Sequence, residues 1–471
     1  MKRDLEPALR AAAGLHWALL AAVYARLAAK AYLRFPLDWD FLAYHLPGAL
    51  ATWGLTSYVP EPRLVGVLDG FPPLPRVVAG ALVVLTGRFS AASAINVLAF
   101  ALLLVGLRFV YGRAFSLRWF LTALLGVPLF VFHFSSGYVD LMTGCWLTLA
   151  FAALAGLEHR SQRPLGHALL FVAALALAML TKLQSWPVAG LLGAAGLWRF
   201  FWLARAGRLS RERALALGAA LVMVLAAWPA RNLVVHGNPL FPVRFPVLHA
   251  LFPNSLMEPD SSTANLPGWL QDEPAPLRFA ASVAEWNRLY PGERFVWTLD
   301  QAARANPYTS PHHRLGGWFP WTLAWLAFGS ALAIRARLVP ASALAAFAGA
   351  VALIAFLPQN NELRYWMFVP LVLAHWTALG VDRARPFARG ALKAALFCGA
   401  AFVLAVTRPF GIDARPPHDF APTRARAFWA EQAARPSASP VRICDVNPQG
   451  IFYSGPTFRE YPVIACFSWE E

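Results

Sequence analysis

Charged residues are scarce in this chain of 471 residues, and acidic residues are the scarcer of the two signs. Asp, Glu, Lys and Arg together make up 14% of the sequence, whereas soluble domains average about 25%. Hydrophobic residues make up 58%, and the mean hydropathy is +0.48. This composition excludes an ordinary soluble enzyme, because too few polar side chains remain to cover its surface. It predicts an α-helical integral membrane protein.

Cysteine is also rare, with four residues in the chain. No spacing of Cys and His is typical of a metal site. Cys145 and Cys398 fall in apolar runs, where a small apolar filler is the expected role. Cys444 and Cys466 lie in the polar C-terminal part, and a disulfide between them stays open if that part faces an oxidising compartment.

Basic residues outnumber acidic ones, which gives a formal net charge of +16. We exclude a nucleic acid partner as the reason, because the Arg residues lie in short clusters between apolar runs. Clusters of this kind orient a membrane protein with its basic loops inside, where they face anionic headgroups. The charge therefore predicts contacts with membrane lipids and none with nucleic acid.

Apolar runs long enough to cross a bilayer predict about eleven membrane spans. They lie near 11–33, 90–110, 118–136, 140–157, 165–183, 186–203, 214–230, 317–334, 339–357, 365–381 and 391–407. The segment 72–87 is different, since it begins with prolines and carries Arg76. If it crossed the membrane, every later basic cluster would move outside, against the positive-inside rule. We therefore predict that 72–87 lies in the outer interface, with the N-terminus inside and the C-terminus outside.

This topology divides the chain into two parts. Residues 1–407 form the predicted transmembrane domain, with a first outer loop at 34–89 and a long outer loop at 231–316. Residues 408–471 form a predicted extracytoplasmic tail, and their pattern predicts a small α/β unit. Its helix is predicted at 420–435, and its short strands lie around VRICDV and YPVIAC.

The outer loops collect the polar side chains that the rest of the chain avoids. Ionisable groups at membrane depth are unfavourable by about 2.5–3.5 kcal/mol, so they tend to mark functional sites. A carboxylate can take a proton from an acceptor hydroxyl, and Lys or Arg can hold a leaving phosphate. This combination suits a transferase that uses an anionic, lipid-linked sugar. The side chains concerned are Asp38, Asp40, Tyr44, His45, Asp69, Tyr138, Asp140, Lys182, Gln184, Arg231, Asn232, His236, Asn238, Asn361, Glu362, Arg364 and Tyr365.

Several short motifs resemble those of the GT-C glycosyltransferases, which include protein mannosyltransferases and bacterial lipid A aminoarabinose transferases. The motifs are WDFLAYHLP (39–47), FPPLPRVVAG (71–80), GYVDLMTG (137–144), LTKLQSWP (180–187), WPARNLVVHGNPLFP (228–242) and LRYWMFVP (363–370). They follow the order of the family, and all fall on the predicted outer side. The sequence departs from the family at Phe41, because a Glu often follows the catalytic Asp.

The resemblance implies a GT-C-like bundle and an inverting transferase that moves a sugar from a polyprenyl-phosphate donor to a lipid, glycan or protein acceptor. It implies Asp40 as the catalytic base and places Asp140 in the family's second acidic motif, as a further catalytic-site carboxylate that contacts the acceptor or supports Asp40. The expected location is the bacterial inner membrane, with the site on the periplasmic face. The expected substrate-binding residues are Asp38, Tyr44, His45, Tyr138, Lys182, Gln184, Arg231, Asn232, Arg364 and Tyr365.

A cofactor is not required by this reading. Asp38 and Asp40 form an Asp-x-Asp pair, and the sequence leaves open whether that pair binds a divalent cation. Simpler roles also stay open, since Asp40 and Asp140 are each placed to cap a helix N-terminus. Lys182 is likewise placed to snorkel from a helix end.

Two other classes of function remain as alternatives. A transporter or flippase of lipid-linked glycans should carry polar groups near the bilayer midplane, commonly in two repeats. The centres of the predicted spans are poor in polar residues, and no repeat is visible. The second alternative is a non-catalytic protein that binds lipid-linked substrates.

Overall fold

The computed structural model describes most of the chain, and helices dominate the described part. The described residues are 2–34, 40–55, 59–60, 68–158, 163–244, 250–255, 266, 268–285, 316–407, 409, 441–443 and 463–465. Among them, six helices are long and apolar enough to cross a membrane. The chain is therefore an integral membrane protein, which confirms the expectation from composition.

These six helices are fewer than the eleven or so predicted spans. The other predicted spans correspond to helices that are shorter or interrupted. The six are Arg10–Leu33, Phe89–Ala114, Asp140–Glu158, Leu183–Arg205, Arg211–His236 and Pro386–Thr407.

The helices are numbered here in chain order. They are α1 (Lys2–Leu33), α2 (Leu46–Thr52), α3 (Leu74–Thr86), α4 (Ile95–Tyr111), α5 (Leu117–Leu125), α6 (Pro128–His133), α7 (Asp140–Glu158), α8 (Pro164–Met179), α9 (Trp186–Arg205), α10 (Arg211–His236), α11 (Gly268–Gln271), α12 (Ala275–Ala284), α13 (Pro320–Arg335), α14 (Ala341–Ile354), α15 (Phe368–Gly380) and α16 (Pro386–Thr407). Short turns of π or 3-10 helix lie at Phe41–His45, Phe89–Ala94, Gly112–Ala114, Leu183–Ser185 and Leu363–Trp366.

The predicted span at 118–136 is interrupted, and the structure divides it into α5 and α6. The break lies at Gly126 and Val127, directly before Pro128. Proline has no N–H to continue a helix but suits the first turn of a new one. The Gly126 carbonyl accepts a hydrogen bond from Thr322 Oγ1 at 2.6 Å. Two helices therefore make up the predicted span, and α13 supplies a donor at the break.

α3 is the helix predicted to lie in the interface, and it has 13 residues. Its length is about 20 Å, which is less than the ~30 Å of a hydrocarbon core. α3 packs on α2 at Gly80, where an added Cβ would collide with the ring of Trp53. Trp53 Nε1 also donates to the Val77 carbonyl at 3.0 Å. These contacts join α2 and α3 into one helical pair within the first loop (34–89).

α7 lies at the centre of the bundle, and its residues from Asp140 to Leu157 are all buried. It packs against α4, α8 and α15. Gly144 permits the close approach of α15, since an added Cβ there would collide with Met367 and Phe368. Because α7 is buried up to its first residue, the Asp140 carboxyl group is enclosed by protein.

A three-stranded parallel sheet joins the first loop to the C-terminal tail. Its strands are β1 (Val59–Pro60), β2 (Val441–Ile443) and β3 (Val463–Ala465), in the order β1-β3-β2. The register pairs Val59 with Ile464 and Val441 with Val463. β2 and β3 lie in the two stretches predicted as strands, whereas the sequence did not predict β1. Pro60 is tolerated because β1 is an edge strand.

The remaining predictions for the tail lie outside the described residues. They are the helix at 420–435 and the disulfide between Cys444 and Cys466. The other two cysteines are described as free thiols: Cys145 is buried in α7, and Cys398 is exposed on α16.

Candidate active site

Asp40 directly precedes the π-helical turn that leads into α2. Its carboxylate does not cap this turn. Its Oδ2 instead lies 3.3 Å from Nη1 of Arg364, and both side chains are 8% exposed. The reading of Asp40 as a helix cap is therefore wrong. Asp40 forms a buried ion pair with Arg364, which lies 324 positions later in the sequence.

Phe41 stands where the family often has Glu, and it is 1% exposed. It packs against Gly137, where an added Cβ would overlap the Phe41 ring. A buried aromatic ring therefore lies directly after Asp40 in the chain. The contact also ties the first loop to the turn that precedes α7.

Arg364 lies on the short turn before α15, and each nitrogen of its guanidinium has a partner. Nε donates to Glu362 at 2.8 Å, Nη1 to Asp40, and Nη2 to the Tyr365 hydroxyl at 2.9 Å. The guanidinium carbon also lies 4.7 Å from the ring centroids of Tyr138 and Tyr365. Two carboxylates and two aromatic rings therefore fix both the position and the plane of this cation.

A second buried ion pair, between Asp140 and Lys182, lies beside the first. Lys182 Nζ is 2.5 Å from Asp140 Oδ1, and the two side chains are 12% and 0% exposed. The ammonium group is also 4.2 Å from the ring centroid of Tyr365, so this ring contacts both cations. Asp140 is the first residue of α7, where the helix dipole favours a negative charge. The two pairs form one buried cluster, which consists of Asp40, Asp140, Lys182, Glu362, Arg364 and Tyr365.

Tyr44 and His45 follow Asp40 on the π-helical turn, with their ring centroids 4.4 Å apart. Burial, and then the charge of Asp40, raises the pKa of Tyr44 well above its usual range. Burial also lowers the pKa of His45 to about 4, although the charge of Asp40 acts in the opposite direction. Both side chains are therefore neutral near neutral pH. Within the described part of the chain, His45 Nε2 and Asp140 Oδ2 are buried and have no hydrogen-bond partner.

Asn96 holds the turn between α6 and α7, and it is fully buried. Its Nδ2 donates to the carbonyls of His133 at 2.9 Å, Ser136 at 3.2 Å and Tyr138 at 2.6 Å. Its Oδ1 accepts from the N–H of Met142 at 3.1 Å. One amide therefore locks the turn that carries Tyr138 to the first turn of α7. The sequence analysis missed Asn96, although a lone amide within an apolar run is a signal that points to it.

A half-buried cluster lies where the end of α10 meets the first loop, and it consists of Asp69, Trp228, Arg231 and His236. Arg231 Nη2 is 2.5 Å from Asp69 Oδ1, and His236 Nε2 is 2.9 Å from Asp69 Oδ2. The guanidinium of Arg231 lies 5.0 Å from the ring of Trp228. Burial alone would raise the pKa of Asp69, but hydrogen bonds and charges from Arg231 and His236 outweigh it and lower that pKa.

Asn232 connects α10 to the first loop and is fully buried. Its Nδ2 donates to the carbonyls of Gly70 at 3.0 Å and Phe241 at 2.9 Å. Trp228 Nε1 donates to the same Gly70 carbonyl at 3.0 Å. An added Cβ on Gly70 would collide with Phe241 and Pro242, so the loop needs glycine here. The contacts of Asn232 are structural, and its role in binding substrate stays a prediction.

The two clusters adjoin through aromatic rings. Phe71 follows Gly70, and its ring centroid is 5.7 Å from that of Tyr44. The structure thus brings together the predicted site residues of the first loop, α7, the turn after α8 and the turn before α15. It places Arg231 in the neighbouring half-buried cluster, and the fully buried Asn232 lies directly beside it in the chain.

Three further predictions concern Gln184, Asp38 and a bound metal ion. Gln184 lies on the 3-10 turn after Lys182, and its side chain makes no hydrogen bond within the described part of the chain. Asp38 lies outside the described residues. Among the residues that the structure describes, no group of three or more His, Cys, Asp or Glu side chains is placed to hold a metal ion.

No protein-family model and no curated protein matches this sequence. Solved structures do match. ArnT from Cupriavidus metallidurans in the apo state aligns with a TM-score of 0.56 at 15% identity, over 97% of this chain and 86% of that chain. The same protein bound to undecaprenyl phosphate aligns with a TM-score of 0.54 at 14% identity, over 98% of this chain and 86% of that chain. The fold is GT-C-like.

The GT-C-like fold confirms the architecture that the motifs imply. The likeness covers nearly the whole chain at low sequence identity, so the arrangement of the helices is shared although few residues are. In this GT-C-like fold the buried cluster lies where four separate segments of the bundle meet.

Proposed function

We propose that this chain is an inverting membrane glycosyltransferase that moves a sugar from a polyprenyl-phosphate carrier to an acceptor at the outer face of the membrane. The observation that carries the proposal is the Asp40–Arg364 pair buried beside the Asp140–Lys182 pair. In a chain this poor in acidic residues, such a group of carboxylates and cations is best explained by chemistry on an anionic substrate. A shared fold with a protein that binds undecaprenyl phosphate supports the choice of donor.

In the proposed reaction, Asp40 takes the proton of the acceptor hydroxyl or amine as the acceptor attacks the anomeric carbon. The new glycosidic bond forms while the bond between that carbon and the phosphate oxygen breaks, so the configuration inverts. The polyprenyl phosphate leaves with the electron pair of the broken bond. Arg364 orients the Asp40 carboxylate, because its own plane is fixed by Glu362 and two rings.

Lys182 and Arg231 are the proposed ligands of the leaving phosphate. The Lys182 side chain is 12% exposed, and an ammonium has three donors, so its bond to Asp140 leaves capacity for a phosphate oxygen. The Arg231 side chain is 31% exposed, and it lies in the region that adjoins Tyr44. Cations placed at the leaving group stabilise the charge that develops there.

The sugar and the acceptor are proposed to lie against neutral hydrogen-bonding groups of the same site. His45, Tyr44 and Tyr138 are the candidates, together with the second oxygen of Asp140. The acceptor is a lipid, a glycan or a protein, and the long loop (231–316) is proposed to cover it. The proposed location is the bacterial inner membrane, with the site on the periplasmic face.

Replacement of Asp40 by Asn tests the proposed base. Transfer is measured from labelled undecaprenyl-phosphate sugars in membranes that contain either variant or the parent protein. We expect Asp40→Asn to lower transfer by about 100-fold or more, as is usual for the loss of a general base. Asp382→Asn is the matched control, since Asp382 is 57% exposed and pairs with Lys393 at 3.0 Å. Near-normal transfer by Asp40→Asn would remove Asp40 from the mechanism.

The same assay distinguishes a transferase from a flippase. A flippase moves the intact lipid-linked sugar to the other leaflet and forms no glycosidic bond. Mass analysis of the labelled product therefore distinguishes the two functions, because only a transferase separates the labelled sugar from the polyprenyl phosphate.

A further inference from the structure

α12 is distant in sequence from the buried cluster, yet both its ends are bonded to the turn that precedes Arg364. At the start of the helix, Asn360 Nδ2 donates to the Ala275 carbonyl at 2.6 Å. At its end, Ser282 Oγ donates to the Asn361 carbonyl at 2.6 Å. Ser282 and Asn360 are buried, so water does not compete for these bonds. The turn is therefore held at two points along one helix.

The end of α12 has a backbone conformation that is unusual for its residue. Glu285 has φ +52°, in the left-handed region where a helix end usually has Gly or Asn. Its Oε1 accepts from the N–H groups of Gly317 at 3.0 Å and Phe319 at 3.3 Å. Ser282 Oγ accepts from the N–H of Gly316 at 2.9 Å. The chain thus keeps a strained glutamate at this position, where its carboxylate joins α12 to the start of α13.

The turn held by α12 leads directly to the buried cluster. The Glu362 N–H donates to the Gln359 carbonyl at 3.0 Å, and the Tyr365 N–H donates to the Glu362 carbonyl at 3.0 Å. The carboxylate of Glu362 accepts a hydrogen bond from Nε of Arg364, and Nη1 of the same guanidinium donates to Asp40. A shift of the turn that carries Glu362 therefore moves Arg364, the ion-pair partner of Asp40.

We propose that Ser282, Glu285 and Asn360 are positioning residues for the Asp40–Arg364 pair, and that α12 acts as a brace for the turn between α14 and α15. Their importance for catalysis rests on the proposed function, because it requires Asp40 to be the base. The brace itself is a property of the folded protein, and it is measurable without any reaction.

Chemical labelling of Asp40 tests the brace in the full-length protein in lipid nanodiscs. A water-soluble carbodiimide with an amine nucleophile labels carboxylates according to their accessibility, and mass spectrometry gives the rate at Asp40. We expect Ser282→Ala to raise this rate at least about fivefold, the factor that corresponds to one net hydrogen bond, because the substitution removes both bonds of Ser282 Oγ. Hydrogen exchange of the peptide around 358–366 should increase in parallel.

Ser330→Ala is the matched control. Ser330 is also buried, and its Oγ donates to the Leu373 carbonyl at 3.1 Å, between α13 and α15. It should lower the melting temperature by a similar amount and leave the labelling of Asp40 unchanged. Equal labelling in both variants would mean general loosening of the bundle and would overturn the proposal. An unchanged rate in Ser282→Ala would overturn it as well.

Glu285 provides a second, independent pair of variants. Glu285→Gln keeps a side-chain oxygen that can accept both N–H groups, so the labelling of Asp40 should stay at the parent rate. Glu285→Ala removes the acceptor and should raise the rate as Ser282→Ala does. Equal rates in the two Glu285 variants would contradict the role of its carboxylate, and this pair carries the test if Ser282→Ala does not fold.

These outcomes are separate from those of the transfer assay. Full activity of Asp40→Asn would refute the proposed base and leave the brace intact. Unchanged labelling in the α12 variants would refute the brace and leave the base untouched.

Discussion

The buried cluster and the half-buried cluster both contain an Asp held by an Arg, but water reaches only one of them. Asp40 and Arg364 are each 8% exposed, whereas Asp69 and Arg231 are 37% and 31% exposed. An exposed pair contributes roughly 0–1 kcal/mol, while loss of one partner from a buried pair costs about 3–5 kcal/mol. The members of the buried cluster therefore depend on one another. Arg231 can exchange Asp69 for a ligand with only a small loss of folding free energy.

The largest expected effect comes from the removal of the buried guanidinium. Arg364→Met removes the cation that pairs with Asp40 and Glu362, and it should destabilise the protein by about 3–5 kcal/mol. Arg231→Met should cost about 1 kcal/mol or less, because solvent screens Asp69. Unfolding in mixed micelles with increasing denaturing detergent measures both. Equal losses in the two variants would show that burial does not separate the clusters.

The second effect concerns the Asp140–Lys182 pair. Lys182→Met leaves the fully buried carboxylate of Asp140 without this cation. It should lower the free energy of unfolding by about 3 kcal/mol. Asp140→Asn in the same chain removes that charge and should restore part of the loss. A double-mutant cycle on the unfolding free energies is expected to give a coupling of roughly 1–3 kcal/mol. A coupling near zero would mean that the two charges do not stabilise each other.

The third effect concerns the amide that holds the turn before α7. Asn96→Ala leaves the carbonyls of His133, Ser136 and Tyr138 without this donor, which should cost about 1–3 kcal/mol. Asn254→Ala is the control, since Asn254 donates to the His236 carbonyl at an exposed position at 3.0 Å. The same unfolding assay measures both, and comparable losses would contradict a special role for Asn96.

The smallest effect is a pH dependence that belongs to the half-buried cluster. The pKa of Asp69 is lowered from its ordinary value of 3.8, so the folded state binds the proton less readily than the unfolded state. Its contribution to stability is therefore present above that ordinary value and is lost as pH falls through the folded value. We expect the parent protein to lose its advantage over Asp69→Asn, by about 1 kcal/mol or less, on acidification below about pH 4. Melting temperatures of both proteins across this range measure it, and a constant difference would contradict the assignment.

The sequence predicted the buried cluster well, because the relevant side chains are rare in an apolar chain. Asp40, Asp140, Lys182 and Arg364 each stood out for this reason, and the structure brings them together. The placement of α3 in the interface follows from the positive-inside rule and stays a prediction.

Other features depend on contacts that no local pattern reveals. The break in the predicted span at 118–136 follows from Pro128, but the donor from Thr322 belongs to a distant helix. β1 has two residues and contains Pro60, so it has neither the length nor the alternation that predicts a strand. Arg231 and Arg364 both follow predicted spans, and only the fold shows that they have different partners.

The parallel sheet also has a consequence for biosynthesis. β1 leaves the ribosome early, whereas its partner β3 follows the last helix of the bundle. During translation, the first loop therefore keeps an unpaired strand edge, and such an edge can pair with another chain. A chain that lacks residues 463–465 would keep that edge unpaired, so formation of the sheet depends on both segments.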